Sequence, residues 1–157
     1  MSLDIRPAVP FDAPAIAELA GELLHEIMAA TGTKSFRFSL SDTDLRLRTW
    51  LADGSYRVLL AYEDSALVGF LTLTENRALY AEGTFGIIPE LYVRPAFRSS
   101  RVGATLLAEA KRMARSKGWM RLEVTTPPLP QFERTLTFYE RQGFTISGGR
   151  KMKVGLA

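Results

Sequence analysis

Cysteine is missing altogether from the 157 residues, and histidine occurs once, as His25. These absences exclude disulfides and a cysteine nucleophile, and they leave no ligand set for a Cys/His zinc site, so no metal is expected. Long hydrophobic runs are missing too. Nothing approaches the roughly 20 apolar residues of a membrane span, and the opening MSLDIRPAVP lacks the apolar core of a signal peptide. No membrane attachment and a cytoplasmic location are therefore expected. The chain has no internal repeat and no linker-like stretch, so a single domain over residues 1–157 is expected, large enough to bury a core without metal or disulfide. Chemistry must then rest on carboxylates, tyrosines, hydroxyls and backbone groups.

Acidic residues are scarce in one region. Arg94, Arg98, Arg101, Lys111, Arg112, Arg115, Lys117 and Arg121 have only Glu109 among them, while the whole chain carries a net charge of +3. An anionic ligand is one reading. A solvated basic helix face is the other, and it suits Lys111 to Lys117 better than the arginines of the preceding loop. His25, beside the apolar stripe of ELLHEIM, reads as a structural or surface residue rather than a catalytic one.

The hydrophobic pattern then sets out the elements. DIRPA reads as a first strand. Asp12 reads as the N-cap of a helix whose Ile16, Leu19, Leu23 and Ile27 recur at helical spacing until Gly32. After a loop carrying Phe36 and Phe38, which either line a pocket or pack on the core, Ser41 and Asp44 form a capping-box pattern for a second helix ending at Gly54. YRVLLAY, the turn EDS and ALVGFLTLT read as an antiparallel hairpin. A further strand is expected over Ile87 to Val93, a helix over Val102 to Ser116, a strand at RLEVTT, and a helix through Phe138 and Tyr139 ending at Gly143. FTIS, Gly148-Gly149 and RKMKVGL are expected to close a C-terminal hairpin. The order implies an α+β domain around one mixed sheet.

The stretch RSSRVGA calls for a reason of its own. A helix N-terminus leaves backbone N–H groups unpaired and carries roughly half a positive charge, so a tight loop leading into one can hold a phosphate. Gly103 would permit close approach, and Arg98, Ser99, Ser100 and Arg101 would add donors. The loop is neither a P-loop nor a dinucleotide fingerprint, since both glycine patterns are absent.

Strand ELYVRPAFR, loop SSRVGA, helix TLLAEAKRMARSKG, strand RLEVTT and the later TFYERQGF together resemble the GNAT superfamily of N-acetyltransferases. The resemblance covers roughly residues 87 to 126, with a second motif over Thr137 to Phe144. It implies a GNAT-like acyltransferase fold, a central mixed, mostly antiparallel sheet with helices on both faces, and acetyl-CoA as acetyl donor. It further implies that backbone groups around Leu91, Tyr92 and Val93 bind the pantetheine arm, and that the stretch Arg98, Ser99, Ser100, Arg101, Val102, Gly103, Ala104 binds the pyrophosphate. Two positions depart from the family pattern. Arg101 stands where the motif has its first glycine, and Phe132 stands where many members have Asn seven residues before the tyrosine. Arg101 either obstructs the pyrophosphate or turns outward to pair with a coenzyme phosphate, and the small Gly103 and Ala104 favour the second. Phe132 would exchange a polar contact to pantetheine for apolar packing.

Acetylating an alkyl ammonium, of pKa about 10.4, requires removal of a proton at neutral pH. Glu90, on the strand that would face the thioester, is the candidate base; it is equally readable as a strand-edge carboxylate paired with an arginine. The resemblance makes Tyr139 the general acid for the departing thiolate, against the plainer reading of a core aromatic. Backbone N–H near Val93 would polarise the thioester carbonyl. Without cysteine no acyl-cysteine can form, so direct attack by the amine in a ternary complex is expected. The acceptor is a small-molecule or peptide amine, unnamed by the sequence. A non-catalytic acyl-CoA-binding protein is the alternative. A tRNA-directed enzyme is disfavoured, because coenzyme phosphates and a solvated helix face already account for much of the basic run. The lysines of RKMKVGL either protect a sheet edge or let it pair in a homodimer.

Overall fold

A computed structural model describes residues 2–157. Strand β1 (Leu3–Pro7) leads through a 3-10 turn into helix α1 (Ala13–Thr31) and helix α2 (Leu40–Asp53). Strands β2 (Arg57–Glu63), β3 (Ala66–Ala78), β4 (Gly83–Ile88) and β5 (Leu91–Val93) follow, then helix α3 (Val102–Ser116), strand β6 (Leu122–Val124) and helix α4 (Glu133–Arg141). The sheet runs β1-β2-β3-β4-β6, with β5 also paired to β3. Every pairing is antiparallel except β4 with β6. The mixed, mostly antiparallel sheet expected from the sequence is what forms.

Alternation along the strands splits the core in two. Leu59, Ala61, Leu71, Leu73 and Ile88 pack with Val102, Leu106, Leu107 and Ala110 of α3. Val58, Leu60, Phe70 and Tyr92 pack with Ile16, Ala17, Leu19 of α1 and Leu47 of α2. Helices thus cover both faces, each through an apolar stripe of period 3.6 meeting a strand face of period 2. No helix among the described residues is long and apolar enough to cross a membrane.

Local chemistry explains several boundaries. Gly32 and Gly54 end α1 and α2 in the left-handed region, at φ 68° and 78°. Asp64 and Ser65, both at positive φ, form the two-residue turn between β2 and β3. Asp12 does stand before α1, but its carboxylate accepts the N–H of Val9 at 2.8 Å, stapling the preceding 3-10 turn rather than the helix. Helix α2 starts earlier than the Ser41 pattern indicated: Ser39 is the cap and its hydroxyl accepts the N–H of Asp42 at 3.3 Å.

Two expectations are corrected. The strand expected over residues 87–93 is two strands, parted at Pro89-Glu90, because β3 pairs β4 through residues 74–78 and β5 through residues 69–71. The C-terminal hairpin does not form. Gly149 takes φ 90° but Gly148 has no positive φ, so the two lack the paired left-handed geometry of a type I′ turn, and residues 142–157 contain no strand. Ile146, Met152, Val154 and Leu156 are left exposed beside three basic residues, Arg150, Lys151 and Lys153.

Candidate active site

The break at Pro89-Glu90 creates the site. The N–H of Thr72 donates to the carbonyl of Glu90 (2.9 Å) and the N–H of Arg94 to that of Val68 (2.8 Å), so residues 90, 92 and 94 turn their backbone groups toward β3. Antiparallel alternation then turns those of Leu91 and Val93 the other way. Beyond β3, β5 has no strand neighbour among the described residues, whereas β4 is flanked by β6 up to Val124. The result is an unpaired edge, Leu91 and Val93, opening where β4 and β6 separate. Tyr92 pairs with Phe70, so of the three residues expected to meet the coenzyme it is the one committed to the sheet. Gly69 permits this close pairing, since a Cβ there would lie 2.8 Å from the Tyr92 carbonyl oxygen.

Next along the chain, a 3-10 turn over Pro95–Phe97 delivers the loop to α3. The N–H groups of Arg98 and Ser100 are taken up inside this turn, by Pro95 and Phe97. Those of Val102, Gly103 and Ala104 open the helix and have no intrahelical acceptor, as at any helix start. Arg101 precedes them at φ 63°. The backbone there is left-handed, which is the physical reason a glycine suits the position, and its side chain is exposed and makes no ion pair among the described residues. Ser99 is exposed and Ser100 half-buried beside it. Gly103 has a packing role that sequence reasoning missed: a Cβ there would sit 3.1 Å from the ring of Phe138, so its absence lets α4 lie against α3. Phe132 stands half-buried just ahead of α4.

The basic residues are largely committed. Arg94 pairs with Glu22 of α1 (3.0 Å), which also accepts the hydroxyl of Tyr92 (3.1 Å). Arg98 reaches Glu26 of α1 (2.7 Å) and donates through Nε to the free-edge carbonyl of Val93 (2.8 Å). Arg112 pairs with Glu109 and Arg121 with Glu123, while Lys111 donates to the carbonyl of Gln142. Of the eight residues that resembled a basic patch in sequence, Arg94, Arg98 and Lys111 tie one element to another, while Arg112 and Arg121 pair with near neighbours in the chain.

Glu90 and Tyr139 lie on opposite faces of the sheet. Glu90 faces the α1/α2 side, where no arginine meets it. Its Oε1 accepts the hydroxyls of Tyr56 (2.5 Å) and Thr72 (2.6 Å), and its N–H donates to the Thr72 hydroxyl at 2.9 Å. Oε2 has no hydrogen-bond partner among the described residues and is not buried. Tyr139 lies on the α3 side, in the cluster that Leu91, Val93 and Val124 pack against, with the rings of Phe138 and Phe144 at 5.3 and 5.4 Å. Burial pushes its phenol well above the ordinary tyrosine value, so it is a protonated donor across the neutral range. It borders a cleft of about 1230 Å³ between α3, β6, α4 and the C-terminal segment. The loop aromatics divide: Phe38 packs over Gly21 and edge-on to His25, at 5.9 Å, whereas Phe36 is exposed. Among the described residues no cluster of three or more His, Asp or Glu could hold a metal ion.

A split strand, an unpaired backbone edge, and a helix start beside it define a class of sheet that can receive an extended ligand carrying a phosphate. The chain is a member of the acetyltransferase (GNAT) family, whose model matches residues 22–144, and so is an acyltransferase. No curated protein sequence matches it. Among solved structures it is similar to an aminoglycoside acetyltransferase from an uncultured soil metagenomic sample, 21% identical over 99% of this chain and 96% of that one, TM-score 0.74. It is similar to the ribosomal-protein-alanine N-acetyltransferase of Brucella melitensis biovar Abortus 2308, 21% identical over 99% and 100%, TM-score 0.73. A predicted acetyltransferase of Clostridium acetobutylicum, solved with acetyl-CoA, is 13% identical over 98% and 96%, TM-score 0.79. At these identities the likeness is one of fold.

Proposed function

We propose that the chain moves the acetyl group of acetyl-CoA to a primary amine of a small-molecule or peptide acceptor, by direct attack in a ternary complex in the cytoplasm. The observation that carries this reading is the unpaired edge of β5 between two groups suited to acid and base work. Leu91 and Val93 offer backbone N–H groups to an extended pantetheine arm. The Val93 N–H, free of β3, polarises the thioester carbonyl in this reading. The N–H groups of Val102, Gly103 and Ala104 and the outward Arg101 suit the pyrophosphate, with Arg98, Ser99, Ser100 and Phe132 at its margins. Glu90, through Oε2, takes the ammonium proton, and Tyr139 returns a proton to the leaving thiolate.

Support for an amine acceptor comes from the neighbours, whose acceptors include aminoglycosides and a ribosomal protein's alanine. A second reading, a non-catalytic acyl-CoA binder, draws on Arg98, which already occupies the Val93 carbonyl, and on the non-glycine Arg101. A tRNA-directed role draws little support, since five of the eight basic residues are already engaged with protein groups. The exposed alternation of Met152, Val154 and Leu156 is consistent with a homodimer built through the C-terminal segment.

Calorimetric titration with acetyl-CoA, desulfo-CoA and ATP tests the reading. Micromolar binding of both coenzymes with little for ATP is expected, followed by thiol release when trial amines are added. No coenzyme binding sinks the enzyme reading. Tight binding without thiol release from any amine would favour the non-catalytic one.

A further inference from the structure

Glu90 is held more firmly than a proton acceptor at a strand break needs to be. Thr72 is almost fully buried, yet its hydroxyl is satisfied twice, accepting the Glu90 N–H and donating to Oε1. Tyr56 arrives from another element. It sits between α2 and β2, its N–H donates to the carbonyl of Trp50 (3.3 Å) and its ring lies 5.1 Å from that of Trp50. Both hydroxyls converge on the same carboxylate oxygen, and the other oxygen is left without a partner among the described residues.

We propose that Tyr56 and Thr72 are positioning residues for the base: they saturate Oε1 of Glu90 and leave Oε2 alone to receive the acceptor's ammonium proton. This rests on the reading of Glu90 as base. A carboxylate free at both oxygens rotates and presents either one. Two donors on Oε1 fix the plane, so the incoming N–H meets a single oxygen at a set angle. Tyr56 is suited to remain a donor. Burial first, and the negative charge and hydrogen bond of Glu90 next, push its phenol far above the ordinary tyrosine value. No cation forms an ion pair with Glu90 among the described residues, so the two hydroxyls are what orient it. The proton balance is simple: the ammonium N–H bond breaks, Oε2–H forms, and the freed lone pair attacks the thioester carbon; the C–S bond then breaks, the thiolate takes the Tyr139 proton, and the second proton of the nitrogen returns to Tyr139. Tyr56 and Thr72 keep their own protons.

The test uses full-length protein. Crystal structures of wild type, Tyr56→Phe, Thr72→Val and Thr72→Ser are compared for the orientation of the Glu90 carboxyl, alongside kcat and KM for acetyl transfer to a trial aminoglycoside or alanine peptide. Removal of either donor is expected to let the carboxyl rotate into a second orientation and to lower kcat about tenfold with KM unchanged, and Thr72→Ser to restore both. A single, wild-type orientation of Glu90 in both Tyr56→Phe and Thr72→Val overturns the proposal; should Thr72→Val not fold, Tyr56→Phe alone decides. Undiminished transfer by Glu90→Gln would instead overturn the base reading, and the carboxyl orientation would still report on the hydroxyls.

Discussion

Tyr139 and Arg101 illustrate how one position can carry opposed demands. Tyr139 is buried among Phe138, Phe144 and Val124, yet its hydroxyl has no protein hydrogen-bond partner among the described residues. The hydroxyl is not among the buried unpaired atoms and opens onto the cleft, so it contributes little to stability and is free to meet a substrate. Tyr139→Phe should therefore leave unfolding stability unchanged or slightly improved, while turnover at saturating acetyl-CoA falls on the order of a hundredfold. Turnover equal to wild type would remove Tyr139 from the mechanism. Arg101 is a conflict between backbone and side chain. Its φ of 63° is costly for a residue with a Cβ. Relieved strain, less the extra freedom glycine gains when unfolded, gives Arg101→Gly up to about 1 kcal/mol of stability. If the guanidinium turns outward to a coenzyme phosphate, the same variant binds acetyl-CoA about fivefold more weakly, a loss of about 1 kcal/mol. Tighter binding in calorimetry would show that the side chain obstructs the loop.

The elements legible in the sequence were those whose local pattern and tertiary setting agree. Helix α3 falls at Val102–Ser116 as read, because its apolar stripe, Val102, Leu106, Leu107 and Ala110, is also its buried face. The β2-β3 hairpin and the ends of α1 and α2 followed from turn and glycine chemistry. What escaped was decided by partners remote in the chain. The split between β4 and β5 arises because β3 pairs both, and nothing in IIPELYV beyond its proline marks it. Tyr56 and Thr72 carried no motif and meet Glu90 only across the sheet, from 34 and 18 residues away. Gly103 was read as room for a ligand, when part of its reason is Phe138. That packing gives an element-scale prediction. Gly103→Val places branched carbon where the Phe138 ring sits, so α4 must shift, at a cost of about 1–3 kcal/mol in denaturant unfolding. Because α4 carries Tyr139, turnover should fall as well. A variant of full stability and activity would mean that the contact between α3 and α4 is loose.

At the scale of the whole molecule, α1 and the sheet are joined by ionisable groups whose behaviour can be followed with pH. Tyr92 is buried with its hydroxyl on Glu22, and burial first, then the charge of Glu22, raise its phenol to about 12. Tyr56 and Tyr139 are raised also, each chiefly by burial. In the unfolded chain all three would ionise near the ordinary value of about 10. Between the unfolded and folded values the folded state therefore holds more protons than the unfolded one, and stability falls as pH rises. The contribution is complete below about pH 10 and is lost progressively above it, through about 12 for Tyr92. Urea midpoints measured from pH 8 to 11.5 should stay level to near pH 10 and then drop. Tyr92→Phe should soften that drop, but it also unties Glu22 from β5 and leaves Arg94 as the partner of that carboxylate. The same substitution should therefore lower the midpoint at pH 8 while flattening its alkaline fall. A drop that begins equally steeply in the variant would place the alkaline sensitivity in other groups and leave Tyr92 as a packing residue only.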